Sequence, residues 1–537
     1  MTPPATVEDV AVHGLTDTIG VTIPNPLTCE DVPNRRAKAG KLNGGVAAAT
    51  NSEFFKAPAP HKPLAIRLDH RMSQEAKLRK STVLKSLAKH MATPGMISLG
   101  GGLPSSEYFP FESMDIKVPA VGKFLEEETK TTGKTMHLGK HDVKEGKSAY
   151  DLSIALNYGQ ASGSAQMVRW VTEHTEIVHN PPYRDWACTL SAGSTSSLEM
   201  VYRMFLEKGD FVISEEYTFA TAVETSHPLG CKFVGVKMDS EGMIAEALDE
   251  LLENWDVATR GARKPFLLYT VPTGQNPTGS TQGRERRQQI YKVAQKHDLI
   301  LIEDEPYYFL QMQPYTGPGA EPAPLPKNHD EFLKSLVPSL LSMDVDGRVI
   351  RLDSFSKVLA PGSRCGWVVA SAQVCERLQR HGEVSTQHAA GFSQVILHRL
   401  LDEEWGHGGY LDWLVNLRVQ YTTRRDALMK ACDDHLPKEV ATWTPPAAGM
   451  FHWINLDVSK HPEFGKKSVA EIEQAVFRTS VASGVLVTPG SYFMADQENE
   501  LEKVFFRATF AAAEFDTMSE AIRRFGLAIR KVFGLPQ

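Results

Sequence analysis

The chain has 537 residues, 42% hydrophobic and 23% charged, with a formal net charge of −7. At roughly 100–200 residues per domain that is enough for two or more domains with their own cores. Nothing in the mixed, mildly acidic balance calls for nucleic acid or membrane as a partner, and no run of 18 apolar residues occurs, so no spanning helix is predicted.

Residues 1–60 are rich in Pro, Ala, Thr, Asn and Gly, with little apolar period, and read as a poorly ordered extension. Their start carries Glu8, Asp9 and Asp17 and lacks the basic opening and apolar core of a secretory signal, and it does not read as a convincing transit peptide. Residues 79–90 read as a basic amphipathic helix. Residues 96–99 read as a short strand entering the tight loop Gly100-Gly101-Gly102-Leu103-Pro104. The polar segments 129–147 and 317–330 read as surface insertions. Short apolar runs at 211–214, 232–236, 266–271, 299–303, 349–352 and 366–370 alternate with helical periods, clearest over 282–296, which predicts crossovers and a mainly parallel sheet. Beyond residue 404, long helical patterns and a second β-rich group (449–454, 485–487, 503–510) predict a smaller α+β domain. Cys29, Cys188, Cys231, Cys365, Cys375 and Cys432 show neither zinc nor disulfide spacing, so we expect reduced thiols, no metal and a cytoplasmic location.

Four segments carry candidate chemistry. Asp353-Ser354-Phe355-Ser356-Lys357 lies between two apolar runs, with Arg364 seven residues beyond the lysine. Two hydroxyls and a guanidinium suit a phosphate dianion, and a nearby fixed cation is one way to keep a lysine amine nucleophilic. Glu303-Asp304-Glu305-Pro306-Tyr307 closes another run, and carboxylates at the carboxyl end of a parallel strand face the ligand crevice. Thr273-Gly274-Gln275-Asn276-Pro277-Thr278-Gly279 follows a third run. As composition alone it is an ordinary turn, but Asn276 and Tyr307 are both donors suited to a ring oxygen. Gly193-Ser194-Thr195 opens a helical pattern, where free N–H groups and the helix dipole favour an anion.

In that order these segments resemble the fold-type I aminotransferases. The stretch from about Ile97 onward is similar to the branch holding fungal aromatic aminotransferases and the kynurenine/2-aminoadipate aminotransferases; His227-Pro228-Leu229-Gly230-Cys231 and the acidic strand end before Tyr307 carry that similarity. The resemblance implies an α/β fold: a large domain (126–403) with a mainly parallel seven-stranded sheet, a small C-terminal domain (404–537), and an arm with part of the small domain (61–125). It implies pyridoxal phosphate on Lys357 as a Schiff base. Asp304 would face the pyridine nitrogen, and Asn276 and Tyr307 the ring oxygen. Ser194, Thr195, Ser354 and Arg364 would hold the phosphate, and Phe219 would stack on the ring, with Tyr217 as second choice. Tyr158 would reach the partner's phosphate in a homodimer with shared sites. Arg507, Asn276 and Gly102 would hold the substrate, with rings such as Phe109, Tyr492 and Phe493 nearby.

The implied activity is ping-pong transfer of an amino group from Phe, Tyr or Trp, with 2-aminoadipate or kynurenine as further candidates, to a 2-oxo acid such as 2-oxoglutarate. A lyase or decarboxylase on the same fold would keep Lys357 and Asp304. A regulator carrying a helix-turn-helix is the remaining alternative, but residues 1–60 lack the helical pattern and the basic bias.

Overall fold

The structure is a computed structural model that describes residues 27–83, 95, 97, 99, 100, 102–318 and 323–536. In chain order, β1 (Ser113–Val118) and β2 (Lys134–Gly139) form an antiparallel pair. Then come β3 (Trp186–Ser191), β4 (Phe211–Glu215), β5 (Lys232–Val236) and a small hairpin of β6 (Met238–Asp239) and β7 (Gly242–Met243). They are followed by β8 (Leu267–Thr270), β9 (Ile300–Asp304), β10 (Val349–Ser354) and β11 (Gly366–Ser371). Seven of these make one sheet in the order β3-β11-β10-β9-β8-β4-β5. Strand β10 runs parallel to β9, and β4 runs parallel to both β5 and β8, while β11 is antiparallel to β10 and β3. Strands β9, β10 and β11 are buried at every residue. Strands buried on both faces are mostly apolar, which is why they read as apolar runs; the charged Glu303, Asp304, Arg351 and Asp353 lie toward their carboxyl ends.

A four-stranded sheet follows, in the order β12 (Ala441–Trp443), β13 (Phe451–Leu456), β15 (Val504–Thr509) and β14 (Thr488–Pro489). Here the pleat alternates. Ile454, Leu456, Val504 and Phe506 enter a core with Met429, Ile472, Phe525 and Ile529. The residues between them, Trp453, Asn455, Phe505 and Arg507, stand half-buried on the opposite face.

The chain divides into two compact units: Met1–Glu207, Ile300–Pro306 and Lys327–Leu414 in the first, and Lys208–Leu299, Tyr307–Pro326 and Val415–Gln537 in the second. In this division residues 208–299 group with the C-terminal sheet. Within the second unit a Cβ on Gly274 would stand 2.5 Å from the Gly449 backbone, and Tyr217 pairs with Met494 in an isolated bridge.

Several local expectations give way to tertiary packing. Residues 27–60 are not a loose extension. Helix Val32–Ala39 lays Arg36 across Glu173, with Nε on Oε1 at 2.9 Å and Nη2 on Oε2 at 2.5 Å, and Nη2 also reaches Asp402 at 2.5 Å. Ser52 is fully buried, and Lys56 Nζ donates to the Trp186 carbonyl at 2.7 Å. Residues 1–26 lie outside the described residues. A short helix not expected from the sequence spans Gln74–Leu78, and its Ser73 cap accepts from the Ala76 N–H; of the helix expected at 79–90, Val83 is helical and residues 84–90 lie outside the described residues. No strand forms at the described residues of 96–99, where Ile97 and Leu99 are exposed. Segment 129–147 contains β2, whose Met136 and Leu138 fill a core with Val118 and Leu152, so it is no simple insertion. Val485 and Val487 are buried core residues preceding the strand at Thr488–Pro489, not a strand themselves.

Candidate active site

In the first unit, β10 ends in Asp353 and Ser354, and the chain turns sharply through Lys357 before returning in β11. The Ser356 N–H donates to Ser354 Oγ at 3.1 Å, and the Ser354 hydroxyl donates to Ser356 Oγ at 2.8 Å, a hydroxyl pair one residue before the lysine. Arg364 adopts a left-handed backbone (φ 45°), and its Nη1 donates to the Pro361 carbonyl at 2.9 Å while also reaching Ser356 Oγ at 3.4 Å. Its Nη2 donates to the Ala192 carbonyl at 2.9 Å. That last contact places the guanidinium over Gly193, where a Cβ would stand 2.5 Å from Nη2. Gly193 has φ 103°, and helix Ser194–Phe205 begins just after it. Asp304 is buried at the end of β9, and its register partner on β10 is Leu352, next to Asp353.

Beneath this turn lies a charge cluster that the sequence reading missed. Arg351 is fully buried; its Nε and Nη2 donate to Asp353 Oδ2 and Oδ1 at 2.8 and 2.9 Å, and Nη1 lies 3.3 Å from Glu303 Oε2. Glu303 also accepts from the backbone N–H groups of Leu340 and Leu341 at 2.7 and 3.1 Å. Burial alone would lower the guanidinium's pKa, yet Asp353 and Glu303 raise it well above its usual value. Burial raises the Asp353 carboxyl, against the pull of Arg351. Removing any one member strands a buried charge, so the cluster holds the last residues of β10 in place. Arg351 looks like one more polar residue in an apolar run, and its spacing from Asp353 was the available signal.

In the second unit, Arg507 on β15 is held between two rings, 4.4 Å from the centroid of Phe451 and 4.6 Å from that of Phe493. Its Nη1 donates to Asn276 Oδ1 at 2.8 Å. A guanidinium has only donors, so it faces the amide oxygen and leaves Asn276 Nδ2 to donate elsewhere. Burial lowers the Arg507 pKa from its usual value. Tyr307 packs edge-on to Phe451 at 5.8 Å. Asn276, Tyr307 and Arg507 therefore converge. Of the rings expected nearby, Phe493 stands against Arg507 while Tyr492 packs edge-on to Phe477, and Phe506 and Phe510, close to Arg507 in sequence, lie in the core on the other face.

Phe219 caps helix Ala220–Ser226 and is half-buried. Tyr217, the second choice for stacking, is engaged by Trp453 at 5.5 Å and Phe505 at 5.3 Å. Thr195 is exposed in the first helical turn, Tyr158 is 56% exposed, and Gly102 is exposed with no heavy atom within 4 Å of a built Cβ.

The first-unit residues fit the phosphate of pyridoxal phosphate. Ser194 Oγ is buried and has no hydrogen-bond partner among the described residues, at the first residue of a 12-residue helix. An orphaned hydroxyl, free helix N–H groups and a guanidinium lodged against a glycine are the donors an anion needs.

The class I and II aminotransferase family model matches residues 140–525. An aromatic amino acid aminotransferase of Schizosaccharomyces pombe is 44% identical over 469 residues, covering 87% of this chain and 98% of that protein. The mitochondrial kynurenine/alpha-aminoadipate aminotransferase of Bos taurus is 31% identical over 450 residues, covering 82% and 93%. Among solved structures, the aminotransferase Aro8 of Candida albicans superposes with a TM-score of 0.82 at 43% identity, covering 88% of this chain and all of that one. With a model match across most of its length and relatives this similar over nearly their whole chains, the protein belongs to the class I and II aminotransferases and works with pyridoxal phosphate.

Proposed function

We propose that this chain moves the amino group of an aromatic amino acid to a 2-oxo acid such as 2-oxoglutarate, in two half-reactions that share one carboxylate site. The observation that carries the reading is Arg507, wedged between Phe451 and Phe493 with one nitrogen on Asn276. A planar two-pronged cation amid rings suits an α-carboxylate joined to an aromatic side chain. The names of the relatives support the same substrate class.

Bound pyridoxal phosphate supplies an electron sink for the pair left when the substrate's α-proton departs. The chain supplies the rest. Lys357 Nζ would hold the cofactor and would carry the substrate's α-proton. The Asp304 carboxylate would face the ring nitrogen and favour its protonated form. Asn276 Nδ2 and the Tyr307 hydroxyl donate to the ring oxygen, and Phe219 covers a ring face. Ser194, Thr195, Ser354 and Arg364 hold the phosphate. Arg507 grips the α-carboxylate of donor and acceptor in turn, so the kinetics are ping-pong. Exposed Tyr158 completes the partner's phosphate site in a homodimer. Six free cysteines support a reducing, cytosolic setting, and no helix among the described residues is long and apolar enough to cross a membrane.

The test is absorbance of the cofactor-loaded wild type and Lys357→Ala, before and after phenylalanine and then 2-oxoglutarate. The wild-type visible band should bleach with phenylalanine and return with 2-oxoglutarate, with no such cycle in the variant. A band indifferent to aromatic amino acids overturns the substrate class; a cycling Lys357→Ala overturns the role of the lysine.

A further inference from the structure

One open cleft of the second unit is not lined by Asn276, Tyr307 or Arg507. It has a volume of about 530 Å³, and its walls include Glu216, Tyr217, Trp443, Trp453, Lys503 and Phe505. That volume lies within the roughly 300–1,000 Å³ of small-molecule pockets. Its floor follows from the pleat of the four-stranded sheet: Trp453 and Phe505 rise from β13 and β15 on the half-buried face and stack with centroids 5.0 Å apart and planes at 15°. Tyr217 closes edge-on against both rings.

The polar groups on this aromatic floor are of two signs. The Glu216 carboxylate accepts only the Met238 N–H, at 3.1 Å, and among the described residues no cation pairs with it. Burial raises its pKa, and the Met238 N–H and the charges of Lys503 and Lys237 offset that only in part. Lys503 is exposed and has no ion pair among the described residues, and the indole N–H groups of Trp443 and Trp453 have no protein acceptor there. The other acid of the cleft, Asp239, is already held by Arg286, with Nη2 on Oδ2 at 2.7 Å and Nη1 on Oδ1 at 3.1 Å. A half-buried acid and an ammonium that make no ion pair among the described residues, with indole donors around stacked rings, are the complement of an ammonium, a carboxylate and an aromatic ring in one molecule.

We propose that this cleft is a second, non-catalytic binding site for a zwitterionic aromatic amino acid, with Glu216 on its ammonium, Lys503 on its carboxylate, and Tyr217, Trp453 and Phe505 against its ring. The assignment stands on the cleft alone and does not depend on the transamination reading.

Binding is read by a fluorophore sensitive to its surroundings on Ser240→Cys, an exposed residue of the cleft rim, in the full-length protein loaded with cofactor. Arg507→Met is added to suppress binding at the carboxylate arginine. L-phenylalanine should give a saturable signal that survives Arg507→Met. Glu216→Gln, which keeps an acceptor for the Met238 N–H, and Lys503→Ala should each weaken it about 10-fold, the loss of one charge-assisted contact. 3-Phenylpropionate, which lacks the ammonium, should bind about 10-fold more weakly to the parent and be indifferent to Glu216→Gln. The proposal is overturned if the signal vanishes with Arg507→Met, or if Glu216→Gln and Lys503→Ala leave phenylalanine binding unchanged. Circular dichroism matching the parent shows that a weakened variant is folded.

Discussion

Replacing Gly193 by alanine tests the phosphate site at its tightest point. The new Cβ would stand 2.5 Å from Arg364 Nη2, so the guanidinium must withdraw by about 1 Å to reach ordinary contact. That breaks its 2.9 Å bond to the Ala192 carbonyl and moves it from the start of helix Ser194–Phe205. Two costs separate cleanly. The first is backbone strain at φ 103°, about 1–3 kcal/mol for a residue with a side chain, and it appears with or without cofactor. The second is the phosphate contact of Arg364, about 1.5–3 kcal/mol for a bond to a charged group. Arg364 is exposed in the chain, so the lower end applies and the cofactor Kd should rise about 10-fold. Equilibrium dialysis against pyridoxal phosphate measures the second cost, and urea unfolding of the cofactor-free protein measures the first. A Gly193→Ala protein that loses stability but keeps a cofactor Kd within twofold of wild type would refute the placement of the phosphate beside Arg364.

Arg507→Lys keeps the charge but loses the planar fork; KM should rise about 10–100-fold for both the amino donor and the oxo acid acceptor, and a rise for only one substrate would contradict a shared carboxylate site. His452 is fully buried on the core face of β13 with its pKa lowered to about 3 by burial. The unfolded chain binds this proton from pH 6.5 downward while the folded chain does not, so stability falls as pH drops from 6.5 toward 3. His452 should contribute about 2 kcal/mol of that loss between pH 7 and pH 5, read by urea unfolding, and His452→Phe should flatten the slope by that amount. Arg36→Met leaves Glu173 and Asp402, 3% and 5% exposed at their side chains, without their bridging cation. The cost should fall below the about 3–5 kcal/mol of a fully buried pair, because Arg169 stays 3.1 Å from Asp402. An unchanged urea midpoint would show that the packing of residues 27–60 contributes nothing to stability.

The large sheet and most of the candidate site were legible because they obey local rules. The strands buried on both faces had to be mostly apolar, and β4, β5, β8, β9, β10 and β11 fall within a residue or two of where the apolar runs lie. Lys357, Asp304 and Asn276 follow the carboxyl ends of such strands, where side chains leave the sheet, and their order along the chain carried the family resemblance. What needed the fold were pairings across long sequence separations. Arg36 meets Glu173 and Asp402 across 137 and 366 residues, so a segment with no apolar period of its own is ordered by charges elsewhere. Arg507 meets Asn276 across 231 residues, and its two rings come from β13 and the turn after β14, not from its phenylalanine neighbours. Those neighbours alternate faces of a pleated strand, so adjacency in sequence put Phe506 in the core and left Phe505 to the second cleft. Residue type and strand period therefore determined which side chains could do chemistry, while contacts formed only on folding decided which charge faces which partner, because local sequence carries no record of a neighbour hundreds of residues away.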